Sequence, residues 1–147
     1  MKIPVMRMRE KLIVRVVARF LIPFILLFGL YVQFHGDFGP GGGFQAGVIF
    51  AAGFVLYGLV FGLSDLQRVV PWMIVEVGVA LGLILYGGVG VFSLFLGGNF
   101  LDYKVLDGHD AMHGLHLGIL LVELGVGLAV SASMLAMFYA FAGRRGA

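Results

Sequence analysis

Four ionisable residues in the second half of the chain have the spacing of a single helical stripe. His109, His113 and His116 precede Glu123, and the successive intervals of four, three and seven residues place all four on one face of a continuous helix. A carboxylate below imidazoles, whose unperturbed pKa is about 6.5, is a plausible access route for protons or cations. The alternative is structural, with histidines capping the end of a helix above a hydrogen-bonded carboxyl group.

A second interpretation of this stripe involves Asp110, which lies one turn before His113 and is placed to pair with its imidazole. Asp110, His113 and His116 are all metal-ligand types. Their spacing, however, arises from one helix, and no second cluster of ligands accompanies them. We therefore predict no metal ion and no cofactor.

Glu76 is a further carboxylate inside an apolar run. It lies near the start of that run, where a negative charge complements the positive end of a helix dipole. A position facing an ion route is an equal alternative, so Glu76 stays among the candidate residues. His35 and Asp37 are predicted to be solvated loop residues.

A glycine-rich segment, FGPGGGFQAG at residues 38–47, separates two apolar runs. Glycine loses the most backbone freedom on ordering, so this composition favours either a mobile loop or a backbone that approaches another group closely. The flanking aromatic residues favour close approach. We predict that Phe44 packs and that Gln45 points into a gap between helices. The Gly-x-Gly-x-x-Ala spacing within the segment is no dinucleotide site, because no strand precedes it.

The elements that position these residues are membrane helices. The chain has 147 residues, of which 61% are hydrophobic and 12% charged, and its mean hydropathy is +1.04. Crossing the hydrocarbon of a bilayer takes about 20 apolar residues. Four runs meet that length, at residues 16–34, 44–63, 74–96 and 115–141. We predict an all-α integral membrane protein, a single four-helix domain with no room for a soluble one.

Basic residues predict the orientation of these spans. Nine of the ten lysines and arginines fall on one side of a four-span arrangement, and Lys104 falls on the other. Positive charge favours the cytoplasmic side, so both termini are predicted to be cytoplasmic. Arg15 and Arg19 are expected to extend toward the lipid headgroups. The basic surplus thus reports topology and lipid contact, and it favours no nucleic-acid partner.

Glycine spacing predicts close helix packing, because pairs four residues apart, such as Gly43/Gly47 and Gly78/Gly82, let helix backbones approach in lipid. The chain has no cysteine, which excludes thiol chemistry and disulfides. No serine has a nucleophile context. We therefore predict that the protein is no enzyme. The longest loop, residues 97–108, should face the outside, with Phe100 and Tyr103 tucked against the interface.

Over nearly its whole length the chain resembles the B subunit of Mrp-type (multiple resistance and pH) Na⁺/H⁺ antiporters, the MnhB/MrpB family. The resemblance is carried by PGGGFQxG at residues 40–47 and by LYVQFHGDFG at 30–39, GGNFL at 97–101 and HLGILLVELGVG at 116–127. It implies a small four-helix subunit of a multi-subunit secondary antiporter, driven by the proton-motive force, in a prokaryotic plasma membrane. The implied partners are the A, C, D, E, F and G subunits, Na⁺ and H⁺, and membrane lipids.

The resemblance also implies which residues matter. Carried over by position, the residues of the ion path or subunit interface are Pro40, Gly41, Gly42, Gly43, Phe44 and Gln45, to which the chemistry of the chain adds Glu123, Glu76, His113 and His116. Three alternatives remain open: an equivalent subunit of a membrane-bound hydrogenase or complex I-like redox complex, a purely structural scaffold, and an independent channel or carrier. The last is disfavoured because the chain shows no inverted repeat.

Overall fold

The computed structural model describes residues 11–36, 41–107 and 110–143, and every regular element within them is helical. Four long α-helices, together with short α3, follow in the order α1 Leu12–Phe34, α2 Gly43–Phe61, α3 Leu63–Val69, α4 Trp72–Phe95 and α5 Ala111–Gly143. A 3₁₀ helix, Tyr103–Leu106, lies between α4 and α5. The four long α-helices, α1, α2, α4 and α5, are long and apolar enough to cross a bilayer. The prediction of an all-α membrane protein with four spans is confirmed.

The first helix starts at Leu12, earlier than the predicted residue 16, and it therefore contains Arg15 as well as Arg19. The guanidinium carbons of Arg15 and Arg19 each lie 5.8 Å from the ring centre of Phe61, at the far end of α2. This distance suits a cation–π contact. The start of α1 and the end of α2 therefore lie side by side, so the two helices run in opposite directions.

The connection between the second and third spans contains α3, which the sequence analysis did not predict. Gly62 has a φ of 112°, which few other residues adopt, and its N–H donates to the carbonyl of Gly58 at 3.0 Å. This breaks α2 and starts α3. Leu66 of α3 is fully buried, so the connection belongs to the packed core.

The last helix is the centre of the bundle, because α5 packs mainly against α4 and α2, while α1 packs mainly against α2. A β-carbon built at Gly82 of α4 would lie 2.7 Å from the carbonyl oxygen of Gly125 on α5. The predicted close approach at this glycine is therefore present. A buried cluster near the other end of α5 consists of Leu66, Val75, Ala132, Leu135 and Tyr139.

A hydrogen bond joins α5 to the turn before α4, since the hydroxyl of Tyr139 donates to the carbonyl of Val70 at 2.6 Å. Replacing Tyr139 by Phe leaves that carbonyl without its donor, and we expect the free energy of unfolding to fall by about 1 kcal/mol. Thermal unfolding in detergent measures this. Tyr31→Phe is the matched control, because Tyr31 is exposed. Equal melting temperatures for the two variants would contradict the prediction.

The loop between α4 and α5 folds back onto both helices. A β-carbon at Gly90 would lie 2.5 Å from Cζ of Phe100, and one at Gly118 would lie 2.5 Å from Cγ of Tyr103. Burial, with a smaller contribution from nearby Tyr86, raises the pKa of Tyr103, so its phenol stays neutral at physiological pH. Phe100 and Tyr103 thus tuck the loop against glycines of the two helices. We call this end of the bundle, where the α1–α2 and α4–α5 connections lie, the loop end.

Candidate functional site

The carboxylate of Glu123 lies against glycine backbone near the loop end. Glu123 is half-buried on α5. A β-carbon built at Gly36, just after α1, would lie 2.6 Å from its Oε2, and one built at Gly42, just before α2, would lie 3.0 Å from its Oε1. The absence of side chains at these two positions is therefore what makes room for the carboxylate.

The first helical glycine of α2 contacts the backbone of the same residue. A β-carbon at Gly43 would lie 2.8 Å from the carbonyl carbon of Glu123 and would overlap its carbonyl oxygen. One turn further, a β-carbon at Gly47 would lie 2.7 Å from the carbonyl oxygen of Gly127. The start of α2 thus crosses α5 with backbone against backbone, as the glycine-rich composition predicts.

The electrostatics of this crossing favour an anion. Gly42 is the N-cap of α2, with a φ of 115°, and provides no capping side chain. Its own N–H donates to the carbonyl of Val32 at 3.2 Å, and the N–H of Ala46 donates to the carbonyl of Gly42 at 3.0 Å. The first-turn N–H groups between them lack intrahelical acceptors. A carboxylate beside this positive helix end is stabilised by about 0.3–1 kcal/mol, or more when partly buried.

Gln33 of α1 belongs to the same crossing, and the sequence analysis did not single it out. It is 5% exposed. A β-carbon at Gly127 would lie 2.5 Å from its Oε1 and 3.2 Å from the carbonyl oxygen of Gly43. An amide within a membrane span could have been identified from the sequence as a candidate functional residue, because polar groups are costly there. Its pairing with α5, however, depends on which helices are neighbours.

Phe44 and Gln45 lie on the surface of this chain, and Oε1 of Gln45 would lie 3.7 Å from a β-carbon built at Gly42, beside Glu123. Phe44 is 62% exposed, and Gln45 is exposed as well. The packing of Phe44 and the placement of Gln45 in an interhelical gap stay predictions. Helical geometry explains the exposure of Phe44, since Gly43 and Gly47 occupy the face of α2 that meets α5. Gly41 is half-buried just before this turn, and Pro40 lies outside the described residues.

His113 and His116 lie nearer the loop end than Glu123 and are exposed. Nδ1 of His113 lies 2.7 Å from Oδ2 of Asp107. The predicted partner, Asp110, instead caps α5, because its Oδ1 accepts from the N–H of Met112 at 2.9 Å. The Asp110–His113 side-chain pairing is therefore wrong. His116 is also exposed, and His109 lies outside the described residues.

The cap on α5 allows a direct test, since Asp110→Ala removes an N-cap and is expected to lower the free energy of unfolding by about 0.5–2 kcal/mol. Asp110→Ser keeps an oxygen that can accept the same bond and serves as the control. Denaturant titration in detergent measures both. Equal stability of the two variants would show that the carboxylate contributes nothing as a cap.

Glu76 lies apart from this site, at the opposite end of the bundle. It is exposed on the first turns of α4, and its Oε1 accepts a short hydrogen bond from Nε1 of Trp72. An exposed carboxylate within a span must meet either a headgroup or a neighbouring protein. Across the described part of the chain, no three His, Asp or Glu side chains are grouped as metal ligands.

Comparison with known proteins gives one family. The family described as "Domain related to MnhB subunit of Na+/H+ antiporter" matches residues 13–136. Two similar proteins carry the name "Putative antiporter subunit mnhB2". The one from Staphylococcus haemolyticus is 31% identical over 89% of this chain and 94% of its own length. The one from Staphylococcus aureus strain Newman is 27% identical over 90% of this chain and 95% of its own length.

Proposed function

The chain belongs to the family of domains related to the MnhB subunit of Na⁺/H⁺ antiporters, and from this we propose that it is a small membrane subunit of a multi-subunit Na⁺/H⁺ antiporter. It is a multi-pass protein of a prokaryotic plasma membrane. It is a component of a transporter, driven by the proton-motive force, and performs no catalysis by itself. Its partners are the other subunits of such a complex, of the A, C, D, E, F and G types.

The observation that supports this role is that the glycine-rich segment at the start of α2 has an inner and an outer face. The inner face, Gly42 and Gly43, lies on Glu123 of α5. The outer face presents Phe44 with 62% of its surface exposed. A large aromatic side chain on an exposed surface is typical of a contact with another protein. The segment therefore fixes the start of α2 against α5 and offers Phe44 and Gln45 to a neighbouring subunit at the ion route.

The orientation proposed for the chain places the loop end outside. The basic residues in the described part of the chain, apart from Lys104, lie at the opposite end, among them Arg15, Arg19 and Arg68. Positive charge favours the cytoplasm, so both termini are cytoplasmic. In this orientation His113 and His116 line the outer approach to Glu123, and Glu76 lies at the cytoplasmic side as a second point of contact with a neighbouring subunit or the ion path.

The complex in which the chain works is tested by purification. A tagged chain is extracted from its native membrane in mild detergent, and the proteins that accompany it are identified by mass spectrometry. Antiporter subunits are expected. Hydrogenase or other redox subunits would assign it to a redox-coupled complex, and recovery of the chain alone would contradict the proposal.

The outer face is tested by Phe44→Ala. Removing this ring takes away the exposed aromatic contact without touching the Glu123 crossing, so we expect at least about a tenfold loss of Na⁺/H⁺ exchange. Exchange is measured in membrane vesicles by the dequenching of a pH-sensitive dye. Phe95→Ala is the control, because Phe95 is 84% exposed at the end of α4, outside the segment.

The amount of complex in the same vesicles separates the two roles of Phe44. Loss of exchange with the complex intact supports a place at the ion route. Loss of the complex supports a packing role at a subunit interface. Full exchange in Phe44→Ala, equal to that of Phe95→Ala, would contradict both.

A further inference from the structure

Gln33 is the side chain whose hydrogen bonding the fold does not explain. Among the described residues, its Nε2 is the buried side-chain donor for which no partner exists. A buried donor of this kind is destabilising when it is left without an acceptor. In a membrane the cost is not relieved by solvent, because the hydrocarbon offers no acceptor. An unpaired amide at this depth therefore indicates that a ligand binds to it.

The surroundings restrict what that ligand can be. Gln33 is 5% exposed, so no side chain of a neighbouring subunit reaches it. Its unpaired group is an N–H donor, which cannot coordinate a cation. An anion is opposed by the carboxylate of Glu123 on the adjacent turn of α5. What remains is a small neutral acceptor, and water is the one that protein interiors use for unpaired polar groups.

The position of Gln33 relative to Glu123 follows from the helix pairing. Gln33 lies against Gly127, and Gly36 lies against Glu123, so α1 and α5 run in opposite directions here. Three residues on α1 and four on α5 separate the two pairs, a distance of about 5 Å along the helices. Gln33 is therefore one turn deeper in the bundle than Glu123, counted from the loop end.

We propose that Gln33 binds a water molecule between α1, α2 and α5, and that this water is the inner end of a water-accessible route from the loop end. The route passes the exposed His116 and the half-buried Glu123 and stops at Gln33. The water accepts from Nε2 and has two hydrogens of its own to offer. It extends the reach of water one helical turn beyond Glu123. The proposal depends on no transport measurement, so it stands or falls separately from the proposed function.

The first test uses the unmodified protein in its purified complex. X-rays convert bound water into hydroxyl radicals that oxidise the nearest side chains, and mass spectrometry locates the oxidation. Val32, the chain neighbour of Gln33, and Ile22, deeper on the same helix, are both 9% exposed. We expect several-fold faster oxidation at Val32 than at Ile22. Equal rates at the two positions would overturn the proposal.

The second test uses the absence of cysteine from the chain. Gln33→Cys in the assembled complex is treated with methyl methanethiosulfonate, which reacts with the thiolate and therefore requires a thiol in contact with water. Ser93→Cys is the control for a buried polar position, because Ser93 is 0% exposed and its hydroxyl donates to the carbonyl of Val89 at 2.9 Å. Ile22→Cys is the control for the space that a shortened side chain leaves on α1.

We expect Gln33→Cys to react at least about tenfold faster than either control. A rate no greater than that of Ile22→Cys would show that water does not reach this depth and would overturn the proposal. If Gln33→Cys does not assemble, the oxidation of Val32 in the unmodified complex decides the question by itself.

Discussion

Gly43→Ala is expected to destabilise the subunit strongly. The added methyl group would overlap the carbonyl oxygen of Glu123 and lie 2.8 Å from its carbonyl carbon. Overpacking costs about 1–3 kcal/mol in ordinary cores. Here the obstacle is backbone on both sides, so no side chain can rotate to relieve it, and we expect the upper end of that range. Thermal unfolding in detergent should give a free energy of unfolding about 3 kcal/mol lower than that of the original chain.

The matched control is Gly87→Ala. Gly87 is also a glycine within a membrane helix, α4, but a β-carbon built there meets no atom within 4 Å. Alanine has the higher helix propensity, by about 1 kcal/mol, so this variant should be as stable as the original chain or slightly more so. If Gly43→Ala and Gly87→Ala had the same free energy of unfolding, the close crossing of α2 and α5 would be wrong.

Glu123→Ala is expected to restore part of the stability that Gly36→Ala removes. The three atoms nearest a β-carbon built at Gly36 all belong to the carboxylate of Glu123, with Oε2 at 2.6 Å and Oε1 closer still. Gly36→Ala should therefore be destabilising, because the carboxylate must turn away from the start of α2. Glu123→Ala alone loses the anion at the start of α2, at a cost of about 0.3–2 kcal/mol. The double variant should be more stable than Gly36→Ala, because the obstructing carboxylate is gone.

The contrast with Gly43 makes this test specific. Glu123→Ala leaves the carbonyl group of residue 123 in place, so it should not rescue Gly43→Ala. Thermal unfolding of the three single variants, the two double variants that combine Glu123→Ala with each glycine substitution, and the original chain gives the coupling energies. Additive changes in the free energy of unfolding for Gly36→Ala and Glu123→Ala would refute the proposed contact between the carboxylate and Gly36. Equal rescue of both glycine variants by Glu123→Ala would refute it as well.

The two experiments also bear on what Glu123 does. Exchange activity measured in the Gly36→Ala, Glu123→Ala double variant separates folding from transport, because the subunit is again present but lacks the carboxylate. Restored folding with exchange still lost indicates that Glu123 takes part in the ion route. Restored folding together with restored exchange indicates that the carboxylate serves the packing of α2 on α5.

The sequence by itself determined the four spans, because hydrophobic length is a local property of the chain. It also favoured a close approach of the segment around Gly42 and Gly43 to another group over a mobile loop, because two aromatic residues flank its glycines. The resemblance carried by this segment and by the stretch around Glu123 was enough to indicate the family, which residues 13–136 confirm.

The tertiary structure decided which groups meet. His113 pairs with Asp107 and not with Asp110, because the loop folds back on α5 and the cap of the helix occupies Asp110. Phe44 faces outward because the neighbouring glycines take the contact with α5. Glu123 and Gln33 each contact residues that lie far away in the sequence. Such contacts depend on the order and direction in which helices pack, and apolar periodicity along one helix carries no information about the helix beside it.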